Sequence, residues 1–167
     1  MTVEPRFVEQ PTVSYVGARE RLNRTHLAQA VPRLLAGASH FLRHQSIAPT
    51  GPPLVRYLVV DYHTGDVEIE AGFPVAALPA ARASDVRVGE LPAGRYATVV
   101  HLGSYSTLVD TTASLLDWAK QSHVSWQMIE EGKVTRWAAR VEHYDVGPPA
   151  ESDPNNWRTT IAILLAH

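Results

Sequence analysis

The order strand, helix, strand, strand occurs twice along this chain of 167 residues, and that repetition limits the folds open to it. Local sequence agrees at a separation of about 81 residues. Glu9-Gln10-Pro11 matches Glu90-Leu91-Pro92, and Leu58-Val59-Val60-Asp61-Tyr62 matches Ala139-Arg140-Val141-Glu142-His143, which sets Asp61 against Glu142. A doubled unit of this kind predicts an α+β fold of two pseudo-symmetric βαββ halves, about 1–80 and 84–167. They would share a mainly antiparallel sheet carrying two main helices. The halves meet at a pseudo-twofold seam, a common place for a cleft.

The individual elements follow from periodicity. Phe7 to Ala18 is a strand region broken at Pro11. Asn23 or Thr25 can cap a helix whose apolar stripe is Leu27, Ala30, Val31, Leu34, Leu35, Ala38 and Leu42. Pro32 should kink or restart that helix, because it removes a donor and crowds the preceding turn. Val55–Tyr62 and Asp66–Val75 are strands joined by a turn at His63-Thr64-Gly65-Asp66. On the second of them, Glu68 and Glu70 read as a solvated face. Ala76–Asp85 is the linker. Val86–Leu102 is a strand region broken at Pro92-Ala93-Gly94. Ser106 or Thr107 can cap the second helix, with Leu108, Leu115, Leu116 and Ala119 as its stripe and Trp118 alongside. Trp126 falls in a loop, and Glu130-Glu131 reads as a charged loop. Trp137–Val146 and Trp157–Leu165 are the last two strands, separated by the Pro-rich segment Gly147–Asn156.

Composition removes several function classes. There is no cysteine, so disulfides, thiolate catalysis and Cys-ligated metals are excluded. The formal net charge is -2 with no basic run, so nucleic acid has no electrostatic footprint here. No apolar run approaches the roughly 20 residues that span a bilayer, and Met1–Arg6 has no apolar signal core, which points to a cytoplasmic protein. His40 and His44 stand one helical turn apart, but no Glu between them completes a metalloprotease motif, and no metal or other cofactor is expected. There is no Gly-rich phosphate loop and no nucleophile elbow. Nothing marks an interface between copies of the chain.

What remains is a carboxylate in the wrong place for propensity. Glu142 sits mid-strand in Trp137-Ala138-Ala139-Arg140-Val141-Glu142-His143-Tyr144. A buried acid must be paired, protonated or used. Tyr144 and Arg140 share its face in a regular strand, and Trp137 does not unless a bulge intervenes. If Arg140 lies in the cleft, its charge quenches Glu142. An acid among tryptophan and tyrosine suits a cationic or polarisable aromatic ligand, since aromatic faces attract cations and a desolvated carboxylate adds Coulomb attraction. Trp118 and Trp137 are candidate walls, Trp157 could wall the pocket or seal the sheet, and Tyr57, Phe73 and Tyr96 are further lining residues, each also suited to the core. His101 and His143 could shuttle a proton or sit satisfied in the core.

The ordered set of motifs resembles the GyrI-like effector-binding domains. Glu70-Ala71-Gly72-Phe73-Pro74-Val75 is similar to the end of that family's first hairpin, and Leu91-Pro92-Ala93-Gly94-Arg95-Tyr96-Ala97 to its mid-domain strand entry. His101-Leu102-Gly103-Ser104-Tyr105, with Leu108 and Leu115-Leu116-Asp117-Trp118, resembles its strand-to-second-helix signature. Glu142-His143-Tyr144 with Gly147-Pro148 resembles its Glu-x-Tyr strand, and Asn156-Trp157-Arg158-Thr159 its last-strand opening. One departure is Thr159-Thr160-Ile161, where the family often has Thr-Glu-Ile; a missing acid weighs against a two-carboxylate mechanism.

The resemblance implies a SOUL/GyrI-like fold, a stand-alone member, and a seam pocket in which Glu142 faces a hydrophobic or cationic aromatic small molecule, for sequestration or sensing. It places Tyr105 in the pocket wall. It also implies two alternatives. One is hydrolysis of cyclopropane-bearing DNA-alkylating natural products, with Glu142 activating water and Tyr105 assisting. The other is a protein-interaction role such as inhibition of DNA gyrase.

Overall fold

The computed structural model describes residues 4–167; Met1–Val3, part of the stretch read for targeting, lie outside them. The strands are β1 (Arg6–Gln10), β2 (Val13–Asn23), β3 (Leu54–Asp61), β4 (Asp66–Pro74), β5 (Arg87–Leu91), β6 (Gly94–Leu102), β7 (Met128–Glu131), β8 (Val134–Trp137), β9 (Arg140–Val146) and β10 (Arg158–Leu164). The helices are α1 (Leu27–His44) and α2 (Leu108–Gln121). All strands join one antiparallel sheet, whose main path runs β1-β6-β10-β9-β3-β4-β2-β5. Exchanging each strand for its counterpart in the other half turns this order into its own reverse. Each half lends its first strand to the other: β1 pairs with β6, and β5 with β2. The central pair is β3 with β9, so the pseudo-twofold axis passes between them.

The main core lies under the helices. Val55, Val60, Val67, Ile69, Val99, Leu108, Leu115, Trp137, Ile161 and Ile163 form one buried cluster, with Leu34 of α1 packed into it. Each such aliphatic side chain contributes about 1.5–3 kcal/mol on burial. The sheet tolerates little side-chain bulk where β4 meets β2. A Cβ at Gly72 would lie 1.9 Å from the Val16 carbonyl oxygen, so only glycine permits that approach.

Four local expectations need correction. α1 runs through Pro32 without a break. Pro32 lies on the exposed face of the helix, where the carbonyl it frees can meet water, and the buried stripe Leu34, Ala38, Phe41 and Leu42 holds the helix on the sheet. β2 extends past Ala18 to Asn23 because β4 pairs with it from Tyr15 to Asn23, and Asn23 then accepts from the Thr25 amide to open the next turn. Glu130-Glu131 belongs to a strand: β7, mostly exposed, forms a hairpin with β8, and β8 pairs with the end of β3. The predicted strand Trp137–Val146 is two strands, broken at Ala138-Ala139.

Asp61 is not the counterpart of Glu142. β4 pairs Ala71 with both Val55 and Ala18, and β10 pairs Ile161 with both Glu142 and Val99. Val55 therefore occupies the equivalent place, and it is also the residue paired with Glu142 across the axis. Asp61 instead accepts from the His63 and Thr64 amides and closes the β3–β4 turn. The β7–β8 insertion and the bulge near Leu58 displace the sequence register from the structural one.

Candidate functional site

Cross-strand pairing sets six residues in one row on the helix face: Ala18, Ala71, Val55, Glu142, Ile161 and Val99. Five are aliphatic and buried; the sixth is a carboxylate only 8% exposed. The next positions along β3 and β9 are Tyr57 and Tyr144. Their pairing with Ile69 and Thr159 makes them symmetry-related. Both hydroxyls donate to Glu142 Oε1, Tyr144 at 2.8 Å and Tyr57 at 3.2 Å. Two pseudo-equivalent phenols thus converge on an axis that carries one acid.

Burial pushes the Glu142 carboxyl above its ordinary value of 4.5, outweighing the Tyr144 hydrogen bond, the Arg140 charge and the Tyr57 hydrogen bond, which all favour the charged form. Burial, followed by the Glu142 charge, holds the Tyr57 and Tyr144 hydroxyls well above 10, and the same two causes raise Tyr105. The phenols therefore serve as hydrogen-bond donors at neutral pH.

Arg140 lies on the face of Glu142, yet makes no ion pair with it within 4 Å among the described residues. Its Nη1 donates to the Tyr62 hydroxyl at 3.1 Å, and its guanidinium lies 4.8 Å from the Trp137 ring centre and 5.4 Å from that of Tyr57. The aromatic faces near Glu142 thus already hold one cation of the chain itself. Trp137 reaches this group because the break at Ala138-Ala139 resets the alternation of the strand, and its Nε1 donates to Thr135 Oγ1 at 2.8 Å. On the other flank Tyr105 packs edge-on against Tyr144, with centroids 5.3 Å apart, and against Trp157 at 4.5 Å. Gly147 makes room for it: a Cβ there would fall 2.4 Å from the Tyr105 hydroxyl.

The structure therefore brings Glu142, Tyr144, Tyr57, Tyr105 and Trp137 together. It places three other expected lining residues elsewhere. Trp118 packs beside the main core with its ring 5.8 Å from Phe7 of β1. Phe73 joins a separate cluster with Phe41, Leu42 and Val75 at the far end of α1. Tyr96 is on the opposite face of the sheet, donating to the Pro92 carbonyl at 2.7 Å. A hollow of about 230 Å³ lies beside Trp137, lined by Gln127, Met128, Ile129, Arg136, Trp137 and Ala138. It holds no carboxylate, so we place the candidate site at Glu142 instead.

The family model for the GyrI-like small molecule binding domain matches residues 3–166. The chain belongs to the GyrI-like family. No curated protein matches its sequence. Among solved structures, the C-terminal domain of EcmrR is similar at a TM-score of 0.77 and 16% identity, covering 99% of each chain. EcmrR in its complex with DNA is similar at 0.74 and 18%, and there this chain spans only 58% of the other's length. SAV2435 bound to tetraphenylphosphonium is similar at 0.63 and 13%, over 98% of this chain and 94% of that one. At these identities the likeness shows the fold alone. Among the described residues no helix is long and apolar enough to cross a membrane.

Sequence reasoning left two members of this candidate site, Tyr62 and Val55, out. Trp157, open between pocket wall and a seal of the sheet, stacks on Tyr105 through a loop that sequence does not place. Tyr62 gave no signal, because it lies just beyond β3. Val55 matters only through the symmetry. His101, open between shuttle and core, is satisfied: Nδ1 meets Thr111 Oγ1 at 2.7 Å and Nε2 meets the Ser104 carbonyl at 2.9 Å. A carbonyl only accepts, so Nε2 carries the proton. The Glu missing from position 160 would not have met Glu142 in any case. Thr160 pairs with His143, on the other face, and its hydroxyl bonds to Asp145.

Proposed function

We propose that this GyrI-like chain binds a hydrophobic aromatic molecule, preferentially a cation, against Glu142, with Tyr57, Tyr144, Tyr105 and Trp137 as walls. One observation carries the reading. The fold fills the equivalent position with Val55, yet at Glu142 it buries a carboxylate that, among the described residues, no cation pairs with inside ion-pair distance. Burying an uncompensated charge costs stability, and a ligand cation offsets that cost. SAV2435, a protein of the same fold, binds the aromatic cation tetraphenylphosphonium, which supports this ligand class. Arg140 is the competitor: an incoming cation displaces it from the faces of Trp137 and Tyr57. The test is titration calorimetry with tetraphenylphosphonium on wild type and Glu142→Gln. The reading expects one site per chain and a loss of affinity in the variant.

Hydrolysis is the second reading. A carboxyl with a raised pKa and flanking phenol donors can take a proton from water near neutral pH, and a protein of the same fold from Listeria innocua is described as a hydrolase. Mass spectrometry of cyclopropane-bearing alkylators separates the two. A water adduct formed by wild type and not by Glu142→Gln supports hydrolysis, and intact compound carried by the protein supports binding. Retention of no compound would favour a protein partner, such as DNA gyrase.

A further inference from the structure

We infer that Thr159 is a specificity-determining residue of this site, selecting aromatic cations that carry a neutral hydrogen-bonding group, such as a hydroxyl, away from the cationic centre. The inference rests on the binding reading above.

Among the described residues, two buried side-chain polar atoms have no hydrogen-bond partner, Thr159 Oγ1 and Arg56 Nε. Arg56 is otherwise well bonded, through Nη1 to the Tyr15 hydroxyl and through Nη2 to the Ala138 carbonyl. Thr159 is fully buried and has a single polar side-chain atom. An orphaned buried hydroxyl forfeits its hydration without recompense. Folding does not demand it: by symmetry Thr159 corresponds to Ile69, a fully buried core residue that pairs with Glu20 as Thr159 pairs with His101. Valine has nearly the shape of threonine, so an apolar side chain would fit.

The position is the one a ligand would need. Thr159 stands in the row His101–Thr159–Tyr144, directly beside the row of Glu142 and on the helix face. It is a diagonal neighbour of Glu142 on the adjacent strand, a spacing of roughly 7–8 Å between backbones. Tyr105 covers this end by packing on Tyr144, which pairs with Thr159, and on Trp157, two residues before it in the chain. A ligand ring that displaces Tyr105 while its cationic centre meets Glu142 presents its far end to Thr159 Oγ1. A hydroxyl both donates and accepts, so either an alcohol or a carbonyl satisfies it.

The test uses a matched pair of probes, tetraphenylphosphonium and its derivative with one 4-hydroxymethylphenyl group, titrated into wild type, Thr159→Val and Thr159→Ser. Wild type should prefer the hydroxymethyl compound by about tenfold, the size of a hydrogen bond made in a buried site. Thr159→Val should abolish the preference, and Thr159→Ser should restore it. Thr159→Val should also melt no lower than wild type, which shows that the fold survives. Equal binding of both probes by wild type overturns the inference alone, as does a preference that persists in Thr159→Val. Absence of binding by either probe overturns the binding reading and this inference with it.

Discussion

The sheet buries two strand glutamates on opposite faces, and it treats them differently. Glu70 of β4 is 2% exposed on the face away from the helices. Its Oε2 takes two hydrogen bonds from Arg19, at 3.1 and 3.3 Å, and its Oε1 accepts from the Tyr15 hydroxyl, which Arg56 in turn supports at 2.9 Å. Glu142 accepts from the Tyr57 and Tyr144 phenols and, among the described residues, forms no ion pair. The nearby guanidinium of Arg140 is held by Tyr62 and by two aromatic faces. Glu70 is thus a compensated charge that ties β4 to β2 and β3. Glu142 is buried without an ion pair among the described residues, and that difference is the ground for proposing it as the ligand-facing acid.

The largest effect should come from breaking the compensated site. Glu70→Ala leaves Arg19 and Tyr15 without their acceptor, and we expect a loss of about 2–3 kcal/mol in denaturant unfolding, held below the fully buried case because Arg19 is part-exposed. Arg140→Gln removes the resident competitor and a like charge, and should raise the affinity for an aromatic cation about five- to tenfold in calorimetry. A drop in affinity would instead make Arg140 part of the binding surface.

Glu142→Gln should act on stability with the opposite sign from Glu70, adding about 1 kcal/mol at neutral pH because it removes an uncompensated buried charge. The pH dependence has a definite direction. In the unfolded chain Glu142 titrates near 4.5, and in the fold it titrates higher. The folded state therefore holds the extra proton in the window between those values, and stability from this group is greatest below 4.5 and is lost as pH rises through the window. The gap between variant and wild type should be small at pH 4 and widen toward neutrality. A gap that narrows with rising pH would mean that Glu142 is compensated after all. The smallest effect is Tyr144→Phe, about 1 kcal/mol in unfolding, with the Glu142 titration moved further up because its better hydrogen bond is gone.

The doubled βαββ order was legible because strands and helices announce themselves by period and by turn residues, and the palindromic strand order agrees with it. Glu142 was legible as a propensity conflict. Glu70 was not: it alternates with Val67, Ile69 and Ala71 as a solvent-facing residue would, and only tertiary structure shows that Tyr15 and Arg56 cover that face. The alignment of Asp61 with Glu142 failed because sequence matching cannot see a bulge in β3 and a hairpin inserted before β9. Regular alternation sets Trp137 on the face away from Glu142 unless a bulge intervenes, and the break at Ala138-Ala139 is such an interruption. Tyr105 was placed by resemblance, and its stacking on Trp157 follows from two loops whose closure lies outside local sequence.

The most direct test of the central contrast is the affinity of tetraphenylphosphonium for wild type and Glu142→Gln at pH 8, on the alkaline side of the ordinary carboxyl range. An available carboxylate predicts binding by wild type that weakens by at least about tenfold in the variant, the equivalent of one pKa unit of interaction. Equal affinity in the two proteins, or tighter binding by the variant, would contradict it and leave Glu142 as a structural acid like Glu70.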